Sequence, residues 1–247
     1  MKILITNDDG IGAAGLLPLA RWASRLGEVM VIAPKLEQSG KSHGIEIHRP
    51  FEVRRVELAP DIAAYALDST PADCVRFAVL GLKEKFDLVI SGINRGLNVG
   101  QDIIYSGTVA AIFEARALGI PAIALSTSPD YYYEQALSHL DEVYDYVTGH
   151  KLLDICPLYN INIPSNPAGF RITRQGGPYY SDRFEDIGND LYMPHGIDIF
   201  RESGTDLLDT DAVLVHHLIS ITPLQIDRTH HETYHRLQHL NPQQETQ

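Results

Sequence analysis

The sequence predicts an α/β fold: a doubly wound, mostly parallel sheet with a hairpin-rich C-terminal extension. Apolar, β-rich runs alternate with helical patterns through about the first 150 residues. Runs such as VMVIA and DLVIS are apolar throughout, as in strands covered on both faces. Beyond residue 157, Pro and Gly become frequent and short strand-like runs replace the helical periodicity. No repeat or long low-complexity linker appears. The expectation is one domain over residues 1–247, with a core over about 1–150 and an extension over about 151–247.

The elements follow in order. KILIT reads as a strand. Residues 16–26 read as a helix, with Leu16, Leu19, Ala20, Ala23 and Leu26 at helical spacing. VMVIAP is a buried strand stopped by Pro34, and FEVRRVEL is a half-exposed one. AAYALDST is a strand and turn. PADCVRFAVLGL is a helix opened by Pro71, a residue suited to a first helical position. FDLVISGIN is a strand, SGTVAAIFEARALG a helix stopped by Gly119, and PAIALS a further strand. Residues 132–147 read as a helix with an acidic outer face. YNINIP and GFRITR read as short strands, and AVLVHHLISITPL as a long strand or strand pair. Residues 227–240 read as a terminal helix, followed by the polar tail NPQQETQ.

Composition narrows the function. The 247 residues carry a net charge of -12, which argues against a DNA or RNA polymer as partner, because phosphate contact needs clustered Lys and Arg. The apolar run at the N-terminus is too short for a signal peptide, and no stretch approaches the ~20 apolar residues of a membrane span. Cys74 and Cys156, outside any C-x-x-C spacing, read as incidental thiols. A cytoplasmic protein without membrane contact is expected.

The first strand leads into NDDGIGAAG. Gly10 to Gly15 fits G-x-G-x-x-G, the dinucleotide fingerprint. Two carboxylates, Asp8 and Asp9, stand in front of it and would oppose a pyrophosphate. The acid expected at the end of the second strand is also missing, Glu37 lying beyond Pro34. Two hard oxygen donors at the carboxyl end of a strand suit Mg²⁺ or Mn²⁺ instead. An Asp that merely caps the next helix is the bland alternative. The other loops favour the cation. Ser39 follows the second strand, and Asn94 and Asn98 follow DLVIS. Ser106, Gly107 and Thr108 open a helix, where free N–H groups and the dipole attract anions. Ser106 as a plain N-cap is the simpler reading of that residue. Together these residues describe a cation held beside a phosphate.

The segments ITNDDGIGAAGL, APKLEQSGKSHG, DSTPADCV, DLVISGINRGLNVGQDIIYSGTVAAIFEA, LYNINIP and LLDTDAVLVHHLISITPL together resemble the SurE (survival protein E) family of metal-dependent nucleotidases. The resemblance implies a Rossmann-like core, a C-terminal arm exchanged between subunits, and a homodimer or homotetramer. It implies hydrolysis of nucleoside monophosphates to nucleoside and phosphate, with 3′-nucleotides and short polyphosphate as further substrates. It implies one divalent cation per subunit, Mg²⁺ or Mn²⁺, on Asp8, Asp9, Ser39 and Asn94, and phosphate near Asn98, Ser106, Gly107 and Thr108. Asp8 and Asp9 are the catalytic candidates, and either could orient or deprotonate the water. Gly12, Ala115 and the loop KSHGIEIHRP depart from the family's commoner residues; only the loop bears on substrate preference. The rival reading is an inactive nucleotide-binding or assembly protein on the same fold.

Two further patterns read as decoys. His231 to His235 spells H-E-x-x-H, but only Glu245 follows as a third zinc ligand. Gly40-Lys41-Ser42 resembles the end of a P-loop, yet Lys35 stands where its first glycine belongs. Lys41 and His43 either face substrate phosphate or lie in a solvated loop. His216 and His217, inside a strand pattern, should face opposite ways, one toward the core.

Overall fold

The computed structural model describes residues 1–129 and 133–241. Its strands are β1 (Lys2–Thr6), β2 (Glu28–Pro34), β3 (Val53–Ala59), β4 (Ile62–Leu67), β5 (Leu88–Arg95), β6 (Ala122–Thr127), β7 (Leu158–Ile163), β8 (Phe170–Ile172), β9 (Tyr180–Gly188), β10 (Leu191–Asp198) and β11 (Ile219–Pro223). Nine of them form one sheet in the order β3-β4-β2-β1-β5-β6-β7-β11-β8. The run β4-β2-β1-β5-β6-β7 is parallel, while β3 and β11 lie antiparallel to their inner neighbours. The chain leaves β1 toward β2 on one side and returns to β5 on the other. The sheet therefore has a topological switch point beside β1, where open α/β sheets place their ligands, beyond the carboxyl ends of the strands.

The helices are α1 (Leu16–Ala23), α2 (Pro71–Arg76), α3 (Gly107–Ala117), α4 (Tyr133–Ser138), α5 (Leu140–Gly149), α6 (Leu152–Ile155), α7 (Asp209–Leu214) and α8 (His231–Leu237). Alternation in β1 sends Ile3 and Ile5 to one face and Leu4 to the other. The first face packs on Leu16 and Leu19 of α1 and Val143 of α5. The second packs on Val75 of α2 and on Val109 and Ile112 of α3. Burying each such side chain contributes about 1.5–3 kcal/mol, which is why strands covered on both faces read as unbroken apolar runs.

On the α3 side the sheet changes chemistry toward the switch point. Ser91, Ser126, Asn160, Asn162 and Ser220 are each 0% exposed there. Asn160 and Asn162 alternate with Tyr159, Ile161 and Ile163, which serve the opposite core. A polar layer thus lies under the strand ends.

Several expectations are corrected. The long strand or strand pair expected over AVLVHHLISITPL is the end of α7 followed by β11, because buried Ala212 and Val213 are helical rather than extended. His216 and His217 fall in the connection between them and both are exposed, so neither reaches the core. The helix expected from residue 132 is described from Tyr133 and breaks at His139 into α4 and α5. The helix opened by Pro71 widens after Arg76, with the Leu82 N–H reaching the Phe77 carbonyl at 2.8 Å. The terminal helix is shorter, His231–Leu237 and then one tight turn over Gln238–Leu240. Residues 242–247 of the polar tail, Glu245 among them, lie outside the described residues. Strands β7, β8 and β11 of the extension join the sheet of the core. The part of the extension that stands apart is the β9–β10 hairpin, which among the described residues pairs only with itself.

Candidate active site

Strand β1 ends at Thr6 and the chain turns at once. Asn7 clamps the turn: its Oδ1 accepts the Gly10 N–H at 3.2 Å, and its Nδ2 donates to the Gly10 carbonyl at 3.0 Å. Gly10 adopts φ +99° there. The loop after β2 is stitched to the turn by the Gln38 N–H on the Asp8 carbonyl at 2.8 Å and the Ile11 N–H on the Pro34 carbonyl at 2.7 Å.

Asp8 is 4% exposed and seated on the start of α3. It accepts the Thr108 hydroxyl. The approach is close enough to require glycine at 107: a Cβ there would lie 2.8 Å from Asp8 Cβ and 3.2 Å from Pro71 Cγ. The positive end of the helix dipole favours a carboxylate in this position. Burial nonetheless pushes the Asp8 pKa up, the Thr108 hydroxyl bond opposing it.

Asp9 is half-buried and accepts the Arg95 N–H, from the end of β5, at 3.4 Å. The Tyr133 phenol stands beside it, its ring filling the space above Gly15, where a Cβ would come within 2.6 Å. Burial, then the charge of Asp8, raises the Asp9 pKa to about 6. The nearest guanidinium turns away, Arg95 Nε donating to the Pro129 carbonyl at 3.1 Å. Among the described residues, neither carboxylate has an ion-pair partner.

The other expected residues surround this corner unevenly. Ser39 is exposed and donates to Glu37 Oε1 at 2.6 Å. Asn94 Nδ2 donates to the Gly96 carbonyl at 2.7 Å, and its Oδ1 makes no hydrogen bond among the described residues. Ser106 caps α3, accepting the Val109 N–H at 3.1 Å. Thr108 was expected against phosphate, yet it is 0% exposed with its hydroxyl on Asp8; here it braces a carboxylate. Asn98 is drawn into the polar layer by Asn160, Asn162 and Ser126.

Sequence reading missed Asn7, Tyr133, Ser126, Asn160, Asn162 and Asp209. The signal for the two asparagines was visible, since YNINIP places amides at alternate positions of an apolar strand. Asp209 lies in the LLDTDA segment. It is 0% exposed and accepts N–H groups from Gly100 at 3.1 Å, Gly176 at 2.7 Å and Thr210 at 2.8 Å. Burial raises its pKa to about 6.

The decoys resolve on geometry. Gly12 faces open space, so nothing in the turn demands the complete glycine pattern. His43 Nε2 lies 2.9 Å from Glu114 Oε2, turned from the acid pair, and Lys41 is exposed. His231 and His235 share one face of α8 with ring centroids 6.4 Å apart, but His231 pairs with Asp227 at 2.9 Å. Among the described residues no cluster of three or more His, Cys, Asp and Glu could hold a metal. A cleft of about 620 Å³ runs along Ser106, Ala110 and Phe113. That helical spacing puts it on the side of α3 away from Thr108, so it does not lie over the acids.

Fold and site together define an open α/β protein with an uncompensated acid pair at its switch point. The family described as Survival protein SurE matches residues 3–182. A protein of Legionella pneumophila subsp. pneumophila named 5′-nucleotidase SurE is 38% identical over 252 residues, covering 97% of each chain. One of the same name from Gemmatimonas aurantiaca is 40% identical over 248 residues, covering 94% of this chain and 95% of that one. The crystal structure of the SurE protein from Aquifex aeolicus superposes with a TM-score of 0.78 at 31% identity, covering 97% of this chain and 99% of that one. The chain belongs to the SurE family.

Proposed function

We propose that the protein is a divalent-cation-dependent phosphomonoesterase that hydrolyses nucleoside monophosphates to nucleoside and phosphate, a 5′-nucleotidase. The observation that carries this reading is the acid pair itself. Asp8 and Asp9 share a desolvated corner at the switch point, and both have raised pKa values with no cationic side chain to pair them among the described residues. Relatives of nearly full coverage bear the name 5′-nucleotidase. Nucleoside 3′-phosphates and short polyphosphate present the same terminal phosphoryl group and belong to the same proposal.

The residues fit a small, hard cation. Such an ion takes oxygen donors, and Asp8, Asp9, Ser39 Oγ and the uncommitted Asn94 Oδ1 offer only oxygen. One Mg²⁺ or Mn²⁺ per subunit is the proposed occupant. When bound, the cation neutralises charge developing on the phosphoryl group and lowers the pKa of the attacking water. The protein's own groups do the rest. Asp8 is fixed by Thr108, so the less buried Asp9 is the residue that orients the water in line and takes its proton. The water oxygen forms the new P–O bond as the bond to the ribose oxygen breaks, and that oxygen takes a proton from solvent as it leaves. The Gly107 N–H, the Ser106 hydroxyl and the second hydrogen of Asn98 Nδ2 lack acceptors among the described residues and would hold phosphoryl oxygens.

The working unit in this proposal is a homodimer or homotetramer in the cytoplasm. The β9–β10 hairpin supports it. A lone two-stranded hairpin is marginal in water, and this one exposes Phe184, Ile187, Leu191 and Tyr192 at 52–69%. A second copy would cover them; a monomeric mass by light scattering would refute this part. Both cysteines are free, as in a reducing compartment, and no helix is long and apolar enough to cross a membrane among the described residues. The catalytic part is tested by incubating the folded protein with nucleoside 5′- and 3′-monophosphates and Mn²⁺. Phosphate release supports it; nucleotide binding without release would make the protein an inactive binder.

A further inference from the structure

The polar layer beneath the strand ends converges on one residue. Asn162 Oδ1 accepts the Asn98 N–H at 2.8 Å, and Asn162 Nδ2 donates to the Asn98 carbonyl at 2.9 Å. Asn160 Nδ2 donates to the same carbonyl at 2.7 Å. Ser126 Oγ accepts one hydrogen of the Asn98 side-chain amide at 2.7 Å. Two residues further along the chain, the Gly100 N–H is held by the buried carboxylate of Asp209 at 3.1 Å. Asn98 thus has its main-chain donor, its main-chain acceptor and half of its side-chain amide fixed by buried partners on β6 and β7.

We propose that Asn162, Asn160 and Ser126 are positioning residues, which aim the remaining N–H of Asn98 Nδ2 at the substrate's phosphoryl oxygen. The inference rests on the reading of Asn98 as a phosphate-binding group. Its physical basis is the price of burying polar groups. A strand amide at a core position is destabilising unless its hydrogen bonds are made, and apolar residues would serve the core better. Asn162 makes two bonds, both to one residue outside the sheet. The three side chains stand on adjacent strands in register, Asn162 opposite Ser126 and Asn160 opposite Ala124. The small Ala124 leaves room for the long amide beside it. An amide held at its backbone and at one amide hydrogen has one orientation left, so the other hydrogen points in a set direction. Orientation of this kind contributes through the entropy that the reaction does not have to supply, and a misplacement of about 1 Å can cost a hundredfold in rate.

The test is a KM-against-kcat comparison with a binding readout. Asn98→Ala, Asn162→Ala, Ser126→Ala and the double variant Asn98→Ala/Ser126→Ala are made in the full chain. Hydrolysis of a nucleoside 5′-monophosphate is measured with Mn²⁺, and the affinities for Mn²⁺ alone and for inorganic phosphate are measured by calorimetry. The expected result is a fall in kcat of about ten- to a hundredfold and weaker phosphate binding in Ser126→Ala and Asn162→Ala, with Mn²⁺ affinity unchanged. The double variant should be no worse than Asn98→Ala, because the positioning residue acts only through Asn98. Ser126→Ala removes one hydroxyl and keeps the strand, so it decides the matter if Asn162→Ala does not fold. Full kcat and phosphate affinity in Ser126→Ala, with Asn98→Ala impaired, would overturn the positioning role. An unimpaired Asn98→Ala would instead remove Asn98 from the phosphate site.

Discussion

Replacing Asp9 by Asn should stabilise the metal-free protein while abolishing its response to cations. Folding lifts the Asp9 pKa from 3.8 to about 6, burial being the larger cause and the neighbouring Asp8 charge the second. Full conversion of that lift amounts to about 3 kcal/mol. Asp9 is only half-buried, and solvent screening reduces the figure to about 1–2 kcal/mol. The sign follows from the direction of the lift. A raised carboxylate pKa gives a contribution that is complete below 3.8 and lost as pH climbs through about 6. At pH 7.5 the wild-type protein therefore carries the whole cost, and the amide removes it while still accepting the Arg95 N–H. In chelator, Asp9→Asn should melt about 2–8 °C higher at pH 7.5, the gap narrowing as the pH is lowered to 4.5 and closing below 3.8. Saturating Mn²⁺ should raise the wild-type midpoint, by about 2.7 kcal/mol of stability at a hundred times its dissociation constant, and leave the variant unmoved. A variant that is less stable than wild type in chelator, or that keeps the Mn²⁺ shift, would refute the reasoning.

Other outcomes follow from the same geometry. Gly107→Ala drives a methyl group into Asp8 and Pro71, and it should cost about 1–3 kcal/mol in urea unfolding together with most of the phosphatase activity. Asp209→Ala leaves the buried N–H groups of Gly100, Gly176 and Thr210 without their acceptor. It should cost about 1–3 kcal/mol, and wild-type stability would argue against that anchor. Gly12→Ala meets open space and should leave both stability and activity near wild type, which a large loss of either would contradict. The H-E-x-x-H segment should confer no peptidase activity, so casein cleavage abolished by a zinc chelator would restore it as a site.

The sheet was legible because its strands are buried on both faces, and VMVIA or DLVIS has no other stable home. The carboxyl-end loops were legible for the same reason: once strands are placed, Asp8, Asp9, Asn94 and Ser106 fall at one edge. What misled was local ambiguity. AVLVHHLIS is apolar enough for a strand, but its Ala212 and Val213 pack as a helical turn. That preference comes from tertiary contacts, which periodicity does not register. Ser39 sits in its expected loop and Thr108 at its expected helix start, yet their hydroxyls go to Glu37 and Asp8. Tyr133 was unreadable as a neighbour of Asp9 because the two meet only through the space left by Gly15.

The most direct measurement is phosphate release from nucleoside 5′-monophosphates after complete chelation, repeated with Mg²⁺ or Mn²⁺ restored and with Asp9→Asn in parallel. Release that vanishes on chelation, returns with either cation and stays absent in the variant is the expected result. Release indifferent to chelation, or none with any cation from folded protein, would contradict the assignment of Asp8 and Asp9 as the holders of a catalytic cation.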